Sequence, residues 1–247
     1  MSGHSKWATI KRKKGALDAK RSKIFSKIIK DITIAVREGG PDPEGNPKLR
    51  LAIANAKGAS MPKDNILRAI NKGSEKGADN LTETTYEGYA PHGVAVFVEC
   101  TTDNQQRTIS NIRAIFNKNG GRLGTNGSLS HIFERKGVFS LPADDLNQEE
   151  FEMAVIDAGA EDIDLEDGYF NITTAMEYFG PMMKRLEEMN ITPESAQLER
   201  IPVTTVSLDK ETAKKVLRMI EIFEEDDDVQ NVYHNLEMTD ELMDEMD

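Results

Sequence analysis

Apolar side chains recur with a helical spacing through the first third of the chain. At about 100° per residue, Phe25, Ile28, Ile29, Ile32 and Val36 fall within roughly a third of the circumference, which predicts an amphipathic helix starting at Asp18. Gly39-Gly40-Pro41 stops it, and Asp42 to Gly45 makes a turn. Asn46-Pro47 then reads as a cap followed by a first-turn proline, with Leu49, Ala52, Ile53 and Ala56 forming a narrow stripe for close helix packing. Ser60 and Pro62 open a third helix carrying Ile66, Leu67 and Ile70, which ends at Gly73. Three such stripes predict a small helical domain.

The period changes after a polar linker placed at residues 73–85. Val94, Val96 and Val98 alternate as a strand buried on at least one face. Asp103 or Thr108 caps a helix with Ile109, Ile112, Ile115 and Phe116 on one side, and strands follow at Ser128–Phe133 and Val138–Leu141. Next come a helix over Gln148–Ala158, a hairpin of Ile163–Leu165 and Tyr169–Thr173 around Asp167-Gly168, a helix over Tyr178–Met189 and a strand over Pro202–Leu208. Counted from Val138, that order is the split βαβ arrangement. The closing helix Asp209–Phe223 and strand Val229–Leu236 cannot fold alone, and they supply what the earlier strand-helix-strand block lacks. The expected fold is therefore α+β: an N-terminal three-helix domain plus two α/β domains of ferredoxin-like, split βαβ type, one inserted into the other. The expected boundaries are 1–80 for the basic arm and helices, 81–135 together with 207–247 for a discontinuous α/β domain, and 136–206 for the inserted one.

Charge changes the picture most. The formal net charge is −12, but residues 1–76 carry 18 Lys and Arg against 7 Asp and Glu, a net of +11, which leaves −23 on the remaining 171 residues. This is the sign split of a polyanion-binding or membrane-binding arm on an acidic body. Within the first 30 residues stand Lys6, Lys11, Arg12, Lys13, Lys14, Lys20, Arg21, Lys23, Lys27 and Lys30 against the single acid Asp18. Lys20, Lys23, Lys27 and Lys30 lie opposite the apolar stripe, where a solvated helix face also carries lysines; the five bases just upstream tip the reading to nucleic acid. Residues 1–17 hold too few apolar groups to bury, so they read as a tail. Trp7, inside that tail, either stacks on a base or staples the tail to the helices. Lys48, Arg50, Lys57, Lys63, Arg68 and Lys72 add bases to the polar faces of the second and third helices.

Other chemistry finds little support. No apolar run approaches the roughly 20 residues that span a bilayer, and the N-terminus lacks the apolar core of a secretory signal, so a cytoplasmic protein without a membrane partner is expected. Cys100 is the only cysteine, and His4, His92, His131 and His234 have no metal-ligand spacing, so neither a metal nor another cofactor is expected. No Ser-His-acid set marks a catalytic residue. The run Gly120-Gly121-Arg122-Leu123-Gly124-Thr125-Asn126-Gly127-Ser128 is the one nucleotide-loop candidate, and carries the alternative reading of a nucleotide-binding enzyme. It lacks the Gly-Lys-Ser/Thr ending and leads from a helix into a strand, the reverse of a phosphate loop. No heptad or apolar seam stands out, so a monomer is expected. The acids at Glu221–Asp228 and Glu237–Asp247 either form a solvating tail or compete within the molecule for the basic arm, and the first reading is favoured.

Several segments in order are similar to the YebC/PmpR family: Ser2-Gly3-His4-Ser5-Lys6-Trp7, Ala19 to Phe25, Asn46 to Ile53, Met61 to Ile66, Tyr86-Glu87-Gly88-Tyr89, Thr102-Asp103-Asn104 with Arg107-Thr108, and Asn119 to Ser128. His92 departs from that pattern, where the family often has Gly, and so does His131, where it often has an aromatic. The resemblance implies a helical domain followed by two α/β domains, the last inserted, and a non-enzymatic cytoplasmic regulator of gene expression. Family members are described as DNA-binding transcriptional regulators. Some relatives, including a mitochondrial translational activator, act on the ribosome, with relief of stalling at proline runs as one proposed role. The partner is thus expected to be DNA or ribosomal RNA, with the ribosome as a further candidate. The flexible Trp-bearing arm and the absence of a clear helix-turn-helix spacing lean toward RNA.

Overall fold

The computed structural model describes residues 18–75, 80–144, 146–239 and 242, with side chains from Ser22 onward. Of these, 24–75 and 135–200 form one unit, and 18–23, 80–134, 201–239 and 242 the other.

In the first unit, helix α1 (Asp18–Gly39) from Ile24 onward, α2 (Pro47–Gly58) and α3 (Lys63–Ser74) pack around Ile28, Ile32, Ala35, Val36, Leu49, Ala52, Ala56, Met61, Ile66 and Ala69. The predicted stripes are the buried ones except at Leu67, which is 47% exposed and not in this core; Ala69 lies there with Ile66 instead. Asn46, only 3% exposed, caps α2 by accepting from the Leu49 amide at 3.0 Å, while its amide group donates to the carbonyls of Ala35 and Gly40. The same side chain thus starts one helix and ties down the end of another.

The unit also holds strands β4 (Phe133–Pro142) from Arg135 onward, β5 (Ala160–Glu166), β6 (Tyr169–Ala175) and β7 (Ser195–Pro202) as far as Arg200, in the sheet order β5-β6-β4-β7. Helices α5 (Gln148–Asp157) and α6 (Phe179–Glu188) supply Phe151, Val155, Met182 and Leu186 to a core with Phe139, Leu141, Phe170 and Ile172. The chain order β-α-β-β-α-β is the expected split βαβ fold. Asp167 and Gly168, with φ of 52° and 78°, make the two-residue turn that the Asp-Gly pair predicts. Helix α2 reaches this fold directly. Leu51 packs on its core, and the Asn55 side chain pairs with both the amide and the carbonyl of Ala196 at 2.9 Å, as a neighbouring strand would. Gly58 is needed beside it, because the backbone of Glu194 occupies the place of any Cβ.

The second unit contains β1 (Thr82–Tyr89), β2 (Ala95–Thr102), α4 (Gln105–Lys118), β3 (Arg122–Leu123), α7 (Lys210–Glu225) and β8 (Val229–His234), with sheet order β3-β1-β2-β8. The last strand pairs antiparallel with β2, Val98 opposite Val232, so the split βαβ fold is inserted into this sheet's chain as expected. Val96, Val98 and Cys100 face Ile112, Phe116, Val216, Ile220 and Phe223, while Ala95 and Phe97 face Leu129, Phe133 and Tyr233. Strand β2 is therefore buried on both faces, which accounts for its continuous apolar run.

Four local expectations are corrected. Residues 82–85, read as linker, begin β1 and pair with 99–102 of β2. Residues 128–132, read as strand, form turns, because the Gly127 and Leu129 amides bond a side chain and not a strand neighbour. Strand β7 ends at Pro202, where Pro202–Leu208 was expected to be strand; beyond it only the bridge of Val206 to Leu236 forms. The cap of α4 is Asn104, which accepts from the Arg107 amide at 3.0 Å, and not Asp103 or Thr108.

Candidate nucleic-acid interface

Helix α1 can form because residues 18–38 contain neither Gly nor Pro. It is anchored by Ile28, Ile32, Ala35 and Val36, with Phe25 and Ile29 packed against the same core. That anchoring fixes where its lysines lie. Lys23 is exposed and its ammonium donates to the Glu225 carbonyl at the end of α7, 2.8 Å away. Lys27 and Lys30 are half-buried, so the expected face is not freely solvated. Lys20 and Arg21 fall on the first turn of α1, but their side chains are outside the described residues. Lys6, Trp7, Lys11, Arg12, Lys13 and Lys14 lie outside them altogether.

Exposed bases continue over the other two helices: Arg37 near the end of α1, Lys48, Arg50 and Lys57 on α2, and Lys63, Arg68 and Lys72 on α3. Several are oriented locally. Lys48 pairs with Glu38 at 3.0 Å, Arg50 donates to the carbonyls of Pro43 and Glu44, and Arg68 donates to the Asn65 side chain at 2.9 Å. Ion pairs this exposed hold little energy.

Two motifs singled out by sequence take structural roles. In the glycine run, the Glu87 carboxylate, on a residue 5% exposed, accepts from the Gly127 and Leu129 amides at 2.7 Å each, and the Glu87 carbonyl accepts from Gly124 at 2.7 Å. The amides of Gly120 and Gly121 close onto Asn117 and Phe116. A protein carboxylate thus sits where a bound phosphate would have to sit, and the loop points its donors inward. In the sequence Glu87 stands out only as part of the Tyr86-Glu87-Gly88-Tyr89 segment, 33 residues before Gly120, with nothing to show its role in the loop.

The Thr102-Asp103-Asn104 and Arg107-Thr108 pair is an ion-pair network. Arg107 donates to both Asp228 oxygens at 2.9 and 3.0 Å and to Asp103 at 2.8 Å, while the buried Thr108 hydroxyl donates to Asp228 at 2.9 Å. Asp228 first, then Asp103, raises the pKa of the Arg107 guanidinium above its already high ordinary value. Its job is to tie the α7–β8 connection to the start of α4.

Among the described residues no helix is long and apolar enough to cross a membrane. Residues 5–76 match the family model described as the TACO1/YebC protein N-terminal domain, and residues 81–236 match the TACO1/YebC second and third domain. The chain is 55% identical to a probable transcriptional regulatory protein of Amoebophilus asiaticus over 96% of its own length and 98% of the relative's. It is 53% identical to one of Rubrobacter xylanophilus, covering 100% and 99%. A crystal structure of a conserved hypothetical protein from Aquifex aeolicus is 46% identical, with a TM-score of 0.82 over 90% of this chain and 93% of that one. With both family models matched in order along nearly its whole length, the chain belongs to the TACO1/YebC family.

Proposed function

We propose that this protein is a non-enzymatic, nucleic-acid-binding regulator of gene expression acting in the cytoplasm. The observation that carries the reading is the charge split: +11 over residues 1–76 on a chain of net −12. Lys6, Lys11, Arg12, Lys13, Lys14, Lys20, Arg21, Lys23, Lys27 and Lys30 neutralise phosphates, with Trp7 stacking on an unpaired base. The lysine heads of α1 sit on a helix anchored in a core, so part of this surface is fixed before the partner arrives. The relatives' printed names support regulation.

Structured RNA of the ribosome is the favoured partner, because an arm with a single aromatic among clustered bases suits unstacked bases better than a duplex. Duplex DNA is the second reading, and one feature favours it. Helices α2 and α3, 12 residues each, are joined by the short connection 59–62, in which Ser60 is left-handed with φ 56°; this is the length of link that helix-turn-helix pairs use. Fluorescence anisotropy at low salt with a ribosomal RNA hairpin and with duplex DNA, using the full chain and a chain lacking residues 1–17, tests the proposal. Tight binding that the truncation weakens supports it. Weak binding that is indifferent to the truncation removes it. Co-sedimentation with ribosomes from extract, set against a promoter footprint, separates the two readings.

A further inference from the structure

Residues 135–200 carry 16 Asp and Glu against 5 Lys and Arg. Three of those five bases are engaged by acids of the same fold: Lys136 with Glu161 at 2.9 Å, and Lys184 and Arg185 with Glu188 at 3.9 and 3.6 Å. On this anionic surface apolar side chains stand in the open. Helix α5 buries Phe151, Ala154 and Val155 and turns Met153 and Ile156 outward, 69% and 58% exposed, the two highest values among the large hydrophobic residues described. Three positions apart on a helix, they are neighbours. The Tyr178 ring, 46% exposed, lies against Gly159 just past the end of α5, so an apolar strip runs from Met153 through Ile156 to Tyr178. Exposed Glu149 and Asp157 border it, and an open groove of about 400 Å³ adjoins it, lined by Asp157, Ala158, Pro181 and Glu188 with Lys184 and Arg185, the two bases already engaged by Glu188.

None of these three side chains is needed to fill the core, and a polar residue would serve at each position if the surface faced only water. An apolar strip rimmed by polar groups marks an interaction site. The surrounding charge decides what fits: a nucleic acid is repelled, while a cationic protein segment is drawn in and held in register. We propose that the outer face of α5 with Tyr178 docks a basic, apolar-anchored segment of another protein. Met153 and Ile156 receive its apolar side chains, and Glu149 and Asp157 its flanking cations. This goes beyond the nucleic-acid reading and does not rest on it.

The test uses the full chain and a synthetic amphipathic peptide of leucines and lysines about four helical turns long. Oligolysine of equal charge is the control. The peptide is expected to protect amides of residues 148–160 and 176–181 from hydrogen exchange and to bind at least about tenfold more tightly than oligolysine. Met153→Ser combined with Ile156→Ser should weaken it roughly tenfold with helix content and Tm unchanged, since both side chains are exposed. Equal binding by the double variant, equal binding of oligolysine, or protection confined to other residues would overturn the proposal. So would self-association of the wild-type chain that the double variant abolishes, which would give this face to a second copy.

Discussion

Asn46 and Glu87 show how much a single buried polar side chain decides here. Asn46 satisfies one amide and two carbonyls from three different segments of the helical layer. Asn46→Ala is expected to cost about 2 kcal/mol, since it removes a cap and leaves buried carbonyls unpaired; urea unfolding followed by helical circular dichroism measures it. Glu87 needs both carboxylate oxygens, one for Gly127 and one for Leu129. Glu87→Gln presents an amide donor to one of those donors and should cost roughly 2 kcal/mol, with accelerated hydrogen exchange confined to 124–130. Asn46 was legible in the sequence because a cap residue beside a proline is a local signal. Glu87 was not, because its meaning comes from a loop brought to it by the β1–β3 pairing of Gly88 with Leu123.

At the scale of elements, local chemistry announced the helices and hid some strands. Asn46, Asn104, Asn147 and Asp209 each cap a helix by accepting an amide three residues on, although only Asn46 is predicted as a cap and Asn104 replaces the expected Asp103 or Thr108. Strand β1, Thr-Glu-Thr-Thr-Tyr-Glu-Gly-Tyr, reads as linker because its threonines and acids give no apolar alternation, and its place comes from pairing with β2. Strand β7 lies at Ser195–Pro202 for a related reason: its place comes from β4, its neighbour in the sheet, which is distant in the chain. The cap of α7 makes a pH prediction. Hydrogen bonding from the Thr212 side chain, then from its amide, holds Asp209 below the ordinary carboxylate range. A depressed carboxylate contributes stability that is present above its unfolded pKa and lost as pH falls through the lower folded value, so the loss lies below about pH 4. Asp209→Asn keeps an accepting cap without a titrating charge, and its Tm should fall less steeply than wild type in that window; parallel slopes would contradict the assignment.

For the whole molecule the decisive quantity is the distribution of charge. It was fully legible, since counting needs no fold, and so was the presence of two α/β folds, one inserted, following three helices in the chain. What the sequence could not give was the state of the lysines. Lys27 and Lys30 are half-buried and Lys23 reaches a helix carbonyl, so the α1 surface is partly engaged by the protein itself. The central claim is that these lysines and the arm upstream neutralise phosphates. The salt dependence of the affinity for a ribosomal RNA hairpin tests it most directly. Plotted as log K against log salt, the slope should become shallower by roughly 0.7 to 0.9 for each contacting cation removed, so the double variant Lys27→Gln with Lys30→Gln should flatten it by about 1.5. A slope unchanged by that substitution and by loss of residues 1–17 would contradict the account.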